Sequence, residues 1–219
     1  MVVAKPMPER SELCDSPREE VASAITHGLG AAAAVVGLIF AILVSKDSWS
    51  VVSGSIFGAS LVFLYLSSTL YHSFTSPWLK NLFQVVDHAG IYLLIAGSYT
   101  PLTLVALRGP LGWTIFGIVW VLAITGILTK AFMKTNREHW ASTALYLIMG
   151  WLVIAIFPAL ARELSSGGLW LLISGGLSYT LGVIFFVWHK LPFNHAIWHL
   201  FVLGGSTCHA LSFILFILQ

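Results

Sequence analysis

Residues 26–44 read THGLGAAAAVVGLIFAILV, with one histidine and no charged side chain. A helix needs about 20 apolar residues to cross about 30 Å of hydrocarbon, and this run has that length. Comparable runs recur at 51–72, 82–107, 113–133, 141–161, 168–188 and 194–218. Together they predict an all-α integral membrane bundle of seven transmembrane helices. The breaks between runs are short and rich in turn residues, as in Ser45-Lys46-Asp47-Ser48, Arg108-Gly109-Pro110 and Lys190-Leu191-Pro192. Loops this short make neighbours antiparallel and leave no room for a domain outside the membrane.

Composition agrees. Of 219 residues, 58% are hydrophobic and 9% charged, against roughly a quarter charged in a soluble domain. So few charges cannot cover a soluble surface, and the hydrophobicity excludes intrinsic disorder. The net charge of +2 gives no polybasic footprint, so no nucleic-acid partner is expected. Cys14 lies in a polar segment and Cys208 in an apolar run. They imply neither a disulfide framework nor a CxxC metal site.

Residues 1–16 form a polar tail without the apolar region of a secretory signal. Ser16-Pro17-Arg18-Glu19 has the form of a capping box with proline at the first helical position. A short amphipathic helix is expected from Pro17, lying at the membrane surface before the first crossing. Residues 17–219 then make one seven-helix membrane domain. With seven crossings, the tail and every second loop share a side. That side holds Lys5, Arg10, Arg18, Lys80, Lys130, Lys134, Arg137 and Lys190; the other holds Lys46, Arg108 and Arg162. The positive-inside rule places the N-terminus in the cytoplasm and the C-terminus outside.

Several polar residues lie where the membrane penalises them. Asp87 sits inside the third run, beside His88. An ionisable group at such a position costs about 2.5–3.5 kcal/mol and marks a functional site by default. His72 ends the second run, and His195 and His199 open the seventh. Given the topology, Asp87, His195 and His199 fall about 5–10 Å below the cytoplasmic helix ends. His72 and Ser68 reach about the same depth.

His195 and His199 are four residues apart, so their imidazoles share a helix face and can grip one ion. Ser68 stands one turn before His72 on a common face. Three neutral imidazoles with an open position make the catalytic zinc pattern, although imidazole also suits Cu, Fe or Ni. A haem fits less well, because nothing sets facing helices at haem distance. Water on the metal would be acidified. Asp87 would orient that water or act as general base, and Ser68 would bond a ligand or the substrate oxygen.

Other residues have plainer readings. His209 lies about 15 Å deeper than His199 and is read as an interior hydrogen-bonding group, with a proton or substrate path as the second reading. His88 points about 100° away from Asp87 around the helix and is given a bland role; His27 is read as structural. Gly54-Ser55-Ile56-Phe57-Gly58 is a GxxxG match, read as close helix packing. Pro101 is expected to kink the third span, with nearby hydroxyls covering the freed carbonyls. Trp49, Trp78, Trp113, Trp170 and Trp188 are placed as an aromatic belt.

Three segments carry a family resemblance: SSTLYH at 67–72, DHAGIYLLIAGSYTP at 87–101 and NHAIWHLFVLGGS at 194–206. They resemble the bacterial hemolysin III family. That family groups with the progestin and adipoQ receptors and, more distantly, the alkaline ceramidases. The resemblance runs from about Glu19 through nearly the whole chain. It implies zinc held by His72, His195 and His199, with Asp87 and Ser68 near the metal-bound water. It also implies a multi-pass protein of the bacterial inner membrane, in contact with membrane lipids.

The resemblance leaves the reaction open, because fold and site transfer better than activity. Three functions follow in order of preference. The first is a zinc-dependent hydrolase acting on a lipid amide or ester. The second is a non-enzymatic regulator or sensor of membrane state, with structural zinc. The third is a cytolysin, ranked last because the chain shows little soluble surface for release and insertion.

Overall fold

The structure, a computed structural model, describes residues 16–132 and 140–219. The polar tail up to Asp15 and the loop residues Lys134, Arg137 and His139 lie outside the described residues. Helices α1 (Pro17–Val44), α2 (Ser48–Ser73) and α3 (Pro77–Pro101) come first, and a π-helical turn, Leu102–Ala106, extends α3. Helices α4 (Pro110–Phe132), α5 (Trp140–Trp151), α6 (Val153–Glu163), α7 (Ser166–Val187) and α8 (Asn194–Phe216) follow. No strand occurs among the described residues. Helices α5 and α6 together form one crossing, so seven segments are long and apolar enough to span a membrane.

Helix α1 starts as its sequence dictates. The Ser16 hydroxyl accepts from the Glu19 amide at 3.4 Å, and the Glu19 carboxylate accepts from the Ser16 amide at 3.0 Å. The expected surface helix does not end there: it continues without a break into the first crossing, for 28 residues in all. No proline interrupts the backbone ladder after Pro17. The polar stripe of the first turns finds partners inside the bundle instead of water. Helix α2 is capped by Asp47, which accepts from the Ser50 amide at 2.7 Å. That bond is the main cause holding the Asp47 carboxyl below its ordinary range.

Helix α1 packs along α2, α2 along α3, and α7 along α8; α1 also lies against α8. The first and seventh spans are therefore neighbours, which sets up the site. A Cβ on Gly58 would stand 2.8 Å from Leu38 Cβ and 3.0 Å from its Cα. Only glycine permits that approach, so the GxxxG segment does set close helix packing. The second and third spans are buried over 56% and 61% of their most apolar windows, the sixth over 11%. The centre of the bundle is thus α2 and α3, with Phe57, Leu61, Tyr65, Tyr92 and Ala96 in its core.

Pro101 does not end the third span; the helix widens into the π turn, closed by Leu107 N donating to Leu102 O at 2.9 Å. Neighbouring hydroxyls bond carbonyls close to Pro101, Thr100 to Ala96 O at 2.9 Å and Thr103 to Tyr99 O at 2.8 Å, but neither of these is the Gly97 carbonyl that the proline frees. The fifth span breaks at Leu152. Tyr99 reaches across from α3 and directs its hydroxyl at Met149 O and Gly150 O, each at 2.9 Å. Trp49, Trp78, Trp113, Trp170 and Trp188 are all exposed, near helix ends, where an aromatic belt would sit.

Candidate metal centre

Helix α2 delivers Ser68 and His72 in its last turns, and α8 delivers His195 and His199 in its first two. Each of His72, His195 and His199 offers a nitrogen within 4.8 Å of the others. The rings lie 4.9 Å apart for His72 and His195, 5.2 Å for His72 and His199, and 4.7 Å for His195 and His199. His72 and His199 are buried and His195 is half-buried.

This donor set fits a metal. Two Zn–N bonds of about 2.0–2.1 Å span at most about 4.2 Å, so small ring rotations complete the approach. Helix α1 orients the His199 ring. Its Nδ1 lies 3.2 Å from Ser23 O and 3.1 Å from Thr26 Oγ1. A carbonyl only accepts, so Nδ1 is the protonated nitrogen and Nε2 keeps its lone pair. Orientation of this kind is the usual outer-shell arrangement around metal-binding histidines.

Asp87, from α3, is not one of the three converging donors but lines the same cavity as Ser68, His195 and His199. Both Asp87 and Ser68 are buried. The Ser68 hydroxyl has no hydrogen-bond partner among the described residues. It is therefore available to a ligand. The cavity measures ≈ 390 Å³ and is otherwise walled mostly by apolar side chains such as Ile91, Leu147, Phe157 and Leu172. That volume falls within the usual range for small-molecule sites, about 300–1,000 Å³. Its polar lining includes His27, Ser68, Asp87, His195 and His199, and also Ser98, Tyr99, Thr180 and His209.

Two histidines differ from their sequence reading or extend it, and a third keeps it. His27 is stacked on His199, ring centroids 3.5 Å apart and planes within 9°. It is buried, lines the cavity, and neither ring nitrogen has a hydrogen-bond partner among the described residues. His27 thus belongs to the site wall. His88 also lines the cavity beside Asp87; the space is wide enough to touch two adjacent faces of α3. His209 forms the expected interior bond, its Nε2 lying 3.3 Å from Leu172 O.

Sequence reading missed Glu20, which is buried against the cluster with its Oε2 at 2.9 Å from His72 Nδ1. A signal was present. Glu20, Ser23 and His27 recur at i, i+3 and i+7, one polar stripe on a helix that is otherwise apolar.

A seven-helix bundle with three imidazoles gathered beside an apolar cavity defines a multi-pass membrane protein with a candidate metal site. Residues 16–210 match the family described as Haemolysin-III related, and the chain belongs to that family. It is 52% identical over 193 residues to Hemolysin-3 of Bacillus cereus, covering 87% of this chain and 88% of that one. It is 48% identical to the Hemolysin-3 homolog of Bacillus subtilis (strain 168), covering 87% and 90%. It is also 31% identical over 199 residues to the Monocyte to macrophage differentiation factor of Homo sapiens, covering 87% and 81%. The human relative is a member of the progestin and adipoQ receptor family, in line with the expected superfamily.

Proposed function

We propose that the protein is a zinc-dependent hydrolase of a lipid amide or ester, with its site near the cytoplasmic face of the bacterial inner membrane. One observation carries the reading: three imidazoles converge beside an apolar cavity that two of them, His195 and His199, line together with the buried Asp87 carboxylate and the unpartnered Ser68 hydroxyl. The excess of Lys and Arg on the tail side supports a cytoplasmic N-terminus.

His72, His195 and His199 would hold the metal. Bound zinc supplies Lewis acidity that activates water and polarises a carbonyl. The rest falls to the chain. The apolar wall takes the acyl chain and excludes bulk water. The Ser68 hydroxyl donates to the substrate carbonyl oxygen. A carboxylate oxygen of Asp87 accepts a proton from the attacking water and returns it to the departing amine or alcohol as the C–N or C–O bond breaks.

A second reading has its own support. The Nδ1 atoms of His72 and His199 are both tied to α1, so a closed structural ion would pin three spans together in a regulator of membrane state. Purified, zinc-loaded protein in liposomes of ceramides and ester lipids separates the two. Release of fatty acid that Asp87→Asn abolishes supports the hydrolase. Stoichiometric zinc with no turnover on any lipid, together with a zinc-dependent gain in thermal stability, would replace it with the regulator.

A further inference from the structure

Glu20, His72 and Lys80 come from α1, α2 and α3 and meet behind the histidine cluster. Oε2 of Glu20 lies 2.9 Å from His72 Nδ1 and accepts from Lys80 Nζ at 2.8 Å. Lys80 also donates to Tyr71 O at 3.2 Å and stands 4.6 Å from the Tyr71 ring centroid. Lys80 is 1% exposed and Glu20 8%. Taking two charges from water carries a desolvation penalty that their attraction need not repay, and an apolar pair often stabilises as well or better. Stability alone is therefore a weak account of this pair.

The geometry gives a better one. An ionised carboxylate accepts hydrogen bonds and cannot donate them. Facing Glu20, His72 Nδ1 must carry the ring proton, which leaves the lone pair on Nε2. Glu20 itself is not among the three converging donors; its Oε2 is engaged by His72 Nδ1 and Lys80 Nζ. Lys80 fixes that carboxylate through a second contact on the same atom.

We propose that Glu20, anchored by Lys80, is a positioning residue that locks His72 in the Nδ1-protonated tautomer so that Nε2 serves the metal. The inference rests on the metal reading above and adds an outer-shell residue on α1 to it. It also explains why the first turns of α1 are drawn into the bundle.

The test uses full-length protein in detergent micelles with ¹⁵N-labelled histidine. Ring ¹⁵N shifts report the His72 tautomer, and chelator competition reports zinc affinity. The expected wild-type signal is a single Nδ1-protonated ring. Glu20→Ala should give mixed tautomers and bind zinc about 10–100-fold more weakly, the usual loss for an outer-shell partner. Glu20→Gln keeps a neutral acceptor of the same size, so its loss should be smaller. It also carries the test if Glu20→Ala does not fold. An Nε2-protonated His72 in the wild type overturns the inference. So does wild-type zinc affinity in both Glu20 variants, with the metal reading left standing. Wild-type protein that takes up no zinc at all overturns both together.

Discussion

His199 and His209 stand ten residues apart on α8, and both line the same cavity. Their surroundings differ. His199 sits where α1, α2 and α8 meet, stacked on His27 and within 5.2 Å of the His72 ring and 4.7 Å of the His195 ring. Its Nδ1 is committed to α1. His209 meets the Leu172 carbonyl and, at 5.4 Å, the Tyr179 ring, both on α7. One position gathers donors from two further helices; the other satisfies a single polar group in an apolar setting. Burial of a histidine inside a span is thus not enough to mark a site. Convergence of several elements on one point is.

Substitutions at the two ends should therefore have unequal effects. The largest is expected at Asp87. Asp87→Asn should keep bound zinc yet lower lipid turnover about 10²–10⁴-fold, the usual contribution of a general base. Fatty-acid release by zinc-loaded protein measures it, and turnover equal to wild type would remove Asp87 from the chemistry. Ser68→Ala should keep zinc and lower turnover by up to about 10²–10³-fold, as for loss of one donor to a developing oxyanion. The loss should appear in kcat more than in KM. At the other end, His209→Leu should leave zinc content unchanged. It should cost about 0.6 kcal/mol of stability, the average for a hydrogen bond between membrane helices, read from unfolding in mixed micelles. Loss of zinc in that variant would break the contrast between the two ends.

Much of this was legible in the sequence. The seven crossings follow from run length alone, because the membrane demands an apolar stretch and a fully bonded backbone. Ser68, His72, Asp87, His195 and His199 stand out because polar groups in spans are costly. The i, i+4 spacing of the last pair already points to a shared face. Glu19 and Glu20 show what was not legible. Both open α1, and either could read as a first-turn acid complementing the helix dipole. Glu19 turns outward, closing the capping box and accepting from the Phe193 amide at 2.8 Å. Glu20 turns inward to His72 and Lys80. The stripe of Glu20, Ser23 and His27 marks which acid shares a face with a span histidine, but not which groups α2 and α3 bring to meet it. The break at Leu152 was hidden for a similar reason: apolar residues flank it on both sides, and it is capped by a tyrosine from another helix.

The central claim is that His72, His195 and His199 hold one metal ion between them. Elemental analysis of purified wild-type protein, compared with His72→Ala, His195→Ala and His199→Ala, tests it most directly. The account predicts about one zinc per chain in the wild type, lost in each variant, with His209→Leu as the unaffected control. Wild-type protein free of metal after loading, or variants that retain it in full, would contradict the account.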